Sequence, residues 1–215
     1  MASNVEIADV LLKYFPSKYK GVLVEVGAGH PVNISISLPF RKLKWNIISI
    51  EPIPEHCEEF FKMGFPVLEY ACCSADKGTT PFKVSPNLLC CSGLEIKYAG
   101  EFGWKESDFK TIDVKAMTLN TILKKHHPKI QEIDILTVDA EGFEIEVMNG
   151  FDLEKFNPKI ACIVGHESEA YMLERGYKLY KQIGMDKFFV KASNNKWDSL
   201  RNKGLGNKAN GRIEL

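Results

Sequence analysis

The feature that most constrains this chain is a series of short apolar runs, each stopped by a punctuating residue and followed by a helical pattern. The runs are Gly21 to Val26, Trp45 to Ile50, Pro66 to Ala71, Ile133 to Val138 and Lys159 to Val164. They have strand length and are rich in β-branched residues, which suits strands buried on both faces. Strands alternating with helices imply a mostly parallel sheet with helices packed on each side. The expectation is therefore a doubly wound α/β domain. A length of 215 residues allows one such domain and not two full catalytic ones.

Other segments complete that outline. Val5, Ala8, Leu11, Leu12 and Phe15 recur at helical spacing before Pro16, which predicts an opening helix over Val5 to Phe15. A helical pattern from Ser168 to Arg175 leads into two β-rich runs, Gly176 to Tyr180 and Asp186 to Val190, which suggest a hairpin at the sheet edge. Between the third and fourth apolar runs, residues 74–115 are interrupted by Pro81, Pro86, Gly93, Gly100 and Gly103. So long a connection in a compact domain points to a functional or mobile segment. The domain is expected to span residues 1–192, leaving an Asn-, Lys- and Gly-rich tail over 193–215.

Composition narrows the partners. Lys plus Arg and Asp plus Glu are both 28, so the net charge is zero, which disfavours nucleic acid and favours a small or weakly charged substrate. The amino terminus lacks the basic-then-apolar signature of a secretion signal, and no apolar stretch reaches membrane-spanning length, so a soluble cytoplasmic protein is expected. Six cysteines include the adjacent pairs Cys72-Cys73 and Cys90-Cys91 and no Cys-x-x-Cys, so they read as small buried hydrophobes, not a disulfide or zinc framework.

Three strand ends carry chemistry. Val22 to Val26 leaves through Gly27-Ala28-Gly29, a strand-Gly-x-Gly exit that lets a nucleotide cofactor approach the backbone. The third glycine of a dinucleotide fingerprint is replaced by Val32, which argues against a nicotinamide oxidoreductase. About twenty residues on, the second strand ends in Glu51, where a carboxylate can accept both hydroxyls of a ribose. A later strand ends at Asp139, followed by Glu141 and Glu144. For the two glutamates the first turn of a helix is explanation enough, whereas Asp139 stands where open α/β sheets hold their ligands.

Taken in order, Glu25-Val26-Gly27-Ala28-Gly29, Ile50-Glu51-Pro52, Ala71-Cys72-Cys73-Ser74 and Leu136 to Glu144 resemble the FkbM-type family of class I S-adenosylmethionine-dependent O-methyltransferases. Ala116 to Leu123, Glu174 to Tyr177 and Phe188 to Val190 extend the likeness, which runs from about Gly21 to Val190. The resemblance implies a Rossmann-like, mostly parallel seven-stranded sheet with an antiparallel edge hairpin. It also implies that Gly27, Ala28 and Gly29 flank the methionine part of S-adenosylmethionine, with Glu25 among the cofactor-binding residues. Glu51 would take the ribose, Ala71 or Cys72 the adenine edge, and Pro52 and Ile53 the adenine face. Two departures stand out: Glu25 where the family usually has Asp, and Gly165-His166-Glu167 where a strand usually ends directly in Glu.

Methyl transfer to a hydroxyl requires alignment and removal of one proton. The candidates are Asp139, Glu141 and His166, whose ordinary pKa of ~6.5 suits a base near neutrality. A second arrangement places Mg²⁺ or Mn²⁺ on Asp139, His166 and Glu167, and ranks below the metal-free one. Tyr98, Phe102 and Trp104, interspersed with Gly100 and Gly103, are expected to cover a glycan or other small acceptor such as a deoxysugar, although a satellite hydrophobic cluster would give the same pattern. A non-catalytic cofactor-binding subunit and a methyltransferase for non-sugar products are the alternatives.

Overall fold

The computed structural model describes residues 3–86, 92–97, 100 and 103–192. The chain opens with α1 (Asn4–Tyr14), capped by Ser3, whose hydroxyl accepts the Glu6 N–H while the Glu6 carboxylate accepts the Ser3 N–H. Ile7, Ala8, Leu11 and Tyr14 are its buried face. Val5, expected on that face, stands exposed.

The main sheet contains β1 (Val22–Val26), β2 (Asn46–Ile50), β6 (Ile135–Val138), β7 (Ile160–Val164), β8 (Tyr177–Ile183) and β9 (Asp186–Lys191), in the order β2-β1-β6-β7-β9-β8. The pairs β1·β2, β1·β6 and β6·β7 are parallel. Of the edge hairpin, β9 runs antiparallel to both its neighbours, β7 and β8. Alternate residues feed two cores, as the continuous apolar runs require. Leu23, Ile47, Ile135 and Ile160 pack with α1 and α2 (Leu38–Lys42). Val24, Ile48, Leu136 and Ala161 pack with α4 (Leu119–His126), α5 (Glu144–Asn149), α6 (Leu153–Phe156) and α7 (Ser168–Glu174).

The expected seventh strand of the main sheet is replaced by a separate three-stranded sheet in the order β3 (Ala71–Cys72), β5 (Lys110–Met117), β4 (Gly78–Val84). Leu68 makes a single parallel bridge to Ile50 of β2, and a tight turn with the Tyr70 N–H on the Leu68 carbonyl at 3.0 Å then turns the chain away. Only β3 (Ala71–Cys72) remains extended, pairing with β5 (Lys110–Met117). The interrupted stretch 74–115 proves partly regular, because β4 (Gly78–Val84) pairs antiparallel with β5. Pro81 is tolerated within β4 because β4 lies at the edge of its sheet. Among the described residues no helix is long and apolar enough to cross a membrane. Tyr98, Phe102, Cys90, Cys91 and the segment 193–215 lie outside the described residues.

Candidate active site

The chain leaves β1 toward β2 and later returns to the opposite side of β1 as β6, so strand order reverses at β1. Such a reversal opens a crevice at the carboxyl ends of the strands. The N–H groups of Gly27 and Ala28 both donate to the Ile50 carbonyl, at 3.0 and 3.1 Å, which folds the glycine loop back onto the end of β2. Gly27 has φ +74°, and a Cβ there would lie 1.8 Å from the carbonyl oxygen of Asp139. Only glycine allows this approach of the first loop to the end of β6.

Glu51 locks that arrangement. The residue is 3% exposed, and its carboxylate accepts the Gly29 N–H at 2.8 Å on Oε2 and the Ile53 N–H at 2.9 Å on Oε1. Thus one side chain fixes both the glycine loop and the entry to α3 (Pro54–Lys62). His56, in the first turn of α3, brings Nδ1 to 3.6 Å from Glu51 Oε1, beyond hydrogen-bonding distance.

The turn after β6 uses the same device. Glu144 is buried, and its Oε1 accepts the N–H groups of Ala140 at 3.0 Å and Gly142 at 3.1 Å. Between them Glu141 adopts φ +52°, a left-handed conformation that costs a non-glycine residue free energy and persists because the surrounding bonds over-determine it. Glu144 therefore does more than offset a helix dipole. Burial pushes its carboxyl up, against the backbone N–H groups and Lys97.

Asp139 lies at the end of β6, its backbone N–H on the Val26 carbonyl at 3.1 Å, and its side chain is accessible from the cleft. The surrounding protein pushes its carboxyl well above the ordinary range, reinforced by the negative charges of Glu141, Glu144 and Asp186 and partly offset by the Glu141 backbone N–H. Water in the open cleft screens these charges, and a ligand that displaced it would strengthen the effect.

Together these loops bound an open cleft of about 750 Å³ of non-protein space. Gly27, Gly29, Glu51, Pro52, Asp139 and Glu141 line it, with Ile53, Ala71, Cys72 and Phe82 supplying apolar surface. Ser92, Gly93 and Leu94 line it from the segment beyond β4. Lys97 in the same segment donates to the Gly142 carbonyl, lies 3.6 Å from Glu146 and sits 4.4 Å from the Phe143 ring centroid.

Several expected site residues lie elsewhere. Glu25 points beneath the sheet end, where it accepts the Ser37 N–H and the Ser49 hydroxyl, each at 3.2 Å, and burial raises its pKa against Ser37 and Arg41. Its position on the α2 face of β1 makes it a support for the chain entering α2 instead of a cleft residue. Ala28 is buried against Cys57, Phe60 and Val67. His166 and Glu167 are exposed past Gly165 and do not line the cleft. Among the described residues no group of three or more His, Cys, Asp or Glu is placed to hold a metal ion, so Asp139, His166 and Glu167 do not converge as the alternative arrangement required. Trp104 is half-buried with its ring centroid 5.9 Å from that of Phe109, and does not line the cleft. His56 and Lys97 were not foreseen. Only the prolines before His56 gave a signal, since Pro54 at the start of a helix directs its first turn toward the preceding strand end.

No curated protein matches the sequence. The crystal structure of methyltransferase FkbM from Methylobacillus flagellatus KT has a similar fold, with TM-score 0.50 and 11% sequence identity, over 80% of this chain and 43% of that one. The present chain thus matches less than half the length of that protein. Independently, residues 25–197 match the Methyltransferase FkbM domain, a span that begins within β1 and contains both loops and every strand from β2 to β9. The chain belongs to the FkbM methyltransferase family.

Proposed function

We propose that the cleft binds S-adenosylmethionine and that the chain directs its methyl group to a hydroxyl of a small acceptor, a sugar or deoxysugar in the first instance. The observation that carries this reading is Glu51. A carboxylate has about four acceptor sites, and the N–H groups of Gly29 and Ile53 use two of them, leaving two for the vicinal hydroxyls of a ribose. Ile53, Ala71, Cys72 and Phe82 provide apolar surface suited to adenine, and the glycine loop permits close backbone approach. The residues therefore fit the cofactor, and its charge suits a cleft whose ionisable residues include Glu51, Asp139 and Glu141.

S-adenosylmethionine supplies a methyl carbon activated by a sulfonium sulfur. What the chain must add is alignment of the acceptor and acceptance of its hydroxyl proton. Asp139 is assigned the proton at its carboxylate, because the same surroundings that raise its pKa make its ionised form a stronger base. Glu144 holds the turn that presents Asp139 and Glu141, and the 92–94 segment shields the cleft from one side. The sugar acceptor rests on the family resemblance alone.

Calorimetry with S-adenosylhomocysteine tests the reading. Binding to the wild-type chain is expected, and Glu51→Ala should weaken it by ~5- to 150-fold, the equivalent of about 1–3 kcal/mol, because two hydroxyl donors lose their acceptor. Unchanged affinity would remove Glu51 from the site. Methyl-labelled S-adenosylmethionine with a panel of sugars then reads turnover, and binding without transfer to any acceptor would leave a cofactor-binding subunit.

A further inference from the structure

We infer that His56 is a specificity-determining residue that, with Glu51, cradles one hydroxyl of the bound nucleoside. The inference rests on the S-adenosylmethionine reading and extends it to a residue outside the glycine loop and the strand-end acid. His56 is the third residue of α3, its backbone N–H bonded to the Ile53 carbonyl at 3.1 Å. The side chain is only 9% exposed, yet it lines the cleft. Its Nδ1 is buried and has no hydrogen-bond partner among the described residues. A buried polar atom in that condition costs free energy unless a ligand satisfies it.

The partner that fits is set by the neighbouring atom. Nδ1 is 3.6 Å from Glu51 Oε1, whose other bond goes to the Ile53 N–H. A hydroxyl seated against both groups can donate its hydrogen to Oε1 and accept from Nδ1–H, with the imidazole in the tautomer protonated at Nδ1. Among the variations a nucleoside offers at that position, only the free hydroxyl does both. A methylene leaves the two unpaired, an ether cannot donate to the carboxylate, and a phosphate is repelled by it. The pair therefore selects a nucleoside with an intact hydroxyl at that position and rejects its deoxy and phosphorylated counterparts.

The test is equilibrium binding of S-adenosylhomocysteine and its 2′-deoxy and 3′-deoxy analogues to wild type, His56→Phe and His56→Asn. His56→Phe fills a similar volume without a polar atom and should weaken S-adenosylhomocysteine binding by ~5- to 30-fold, the range of one buried hydrogen bond. His56→Asn, which restores an amide donor nearby, should recover part of the loss. One of the two deoxy analogues should bind wild type and His56→Phe equally, because the hydroxyl that His56 reads is already missing. A loss of equal size for all three ligands, or no loss for any, overturns the inference while leaving the cofactor reading intact; failure of wild type to bind S-adenosylhomocysteine overturns the cofactor reading itself. Should His56→Phe not fold, the ¹⁵N shift of His56 Nδ1 in the wild-type protein decides. It should move with S-adenosylhomocysteine and stay nearer its free value with one deoxy analogue, and an equal movement with all three would overturn the assignment.

Discussion

On the β2 side of the cleft Glu51 accepts N–H groups from Gly29 and Ile53; on the β6 side Glu144 accepts them from Ala140 and Gly142. Both turns are held by a buried glutamate. They differ in how the acceptors are used. Glu51 spends one bond on each oxygen, so each oxygen keeps capacity for a ligand, whereas Glu144 spends both on Oε1. Charge differs as well. The β6 side gathers Asp139, Glu141 and Glu144 with Asp186 close enough to act on Asp139, and it includes a left-handed glutamate. One side is arranged to recognise neutral donors with little rearrangement. The other accumulates repulsion and strain, which destabilise the fold and are the conditions under which a carboxylate becomes a useful base.

Asp139→Asn is the sharpest way to break that comparison, and it carries the largest expected effect. Turnover should fall by ~10²- to 10⁴-fold as general-base assistance is lost, while S-adenosylhomocysteine affinity changes little. Stability should move the other way. A carboxyl whose pKa rises on folding holds its proton longer in the native than in the unfolded chain, so stability declines as pH rises from the unfolded value through the folded one. Asn abolishes that decline. Because cleft water screens the repulsion, a gain of only about 1–2 °C in Tm at neutral pH is expected, and a clear fall in Tm would show that Asp139 stabilises the turn.

The β2 side was the more legible in sequence, and the reason is local. Apolar runs ending in Gly27, Glu51 and Asp139 mark strand ends regardless of what lies around them, and the parallel order then carries those ends to one cleft. The third run misled because periodicity in Pro66 to Ala71 does not encode the Leu68–Tyr70 turn that splits it between two sheets. Pro81 read as a breaker although it belongs to an edge strand, a distinction that depends on which neighbour is missing. Lys97 meets Gly142 across 45 residues of sequence, and nothing near either residue announces the other. His166 followed from the assumption that a strand-end residue faces the ligand, whereas β7 lies beyond β6 from the reversal at β1 and His166 is exposed.

Gly27→Ala tests whether the two sides are one unit. The added Cβ would meet the Asp139 carbonyl at 1.8 Å and force a side chain into φ +74°, so the glycine loop must part from β6. A destabilisation of ~2 kcal/mol, or about 4–8 °C in Tm, is expected, together with weaker S-adenosylhomocysteine binding. If binding weakened with Tm unchanged, the collision would be absorbed by the loop alone. If Tm fell with binding intact at low temperature, the approach to β6 would serve the fold and not the ligand.

Glu144→Gln carries the smallest effect and separates the two features of the β6 side, its hydrogen bonds and its charge. The amide oxygen can still accept the Ala140 and Gly142 N–H groups, so the left-handed turn at Glu141 should survive and maximal turnover should change by less than ~3-fold. One negative charge that raises the Asp139 carboxyl is removed. Asp139 then ionises at lower pH, and because the ionised form accepts the proton, the acid limb of the pH–rate profile should move toward lower pH, with the rest of the upward push persisting from the surrounding protein, Glu141 and Asp186. An acid limb that stayed in place would mean either that Glu144 is already neutral where Asp139 titrates, in keeping with its own raised pKa, or that another group accepts the proton. Asp139→Asn separates these, since the limb disappears with Asp139 in the first case and persists in the second.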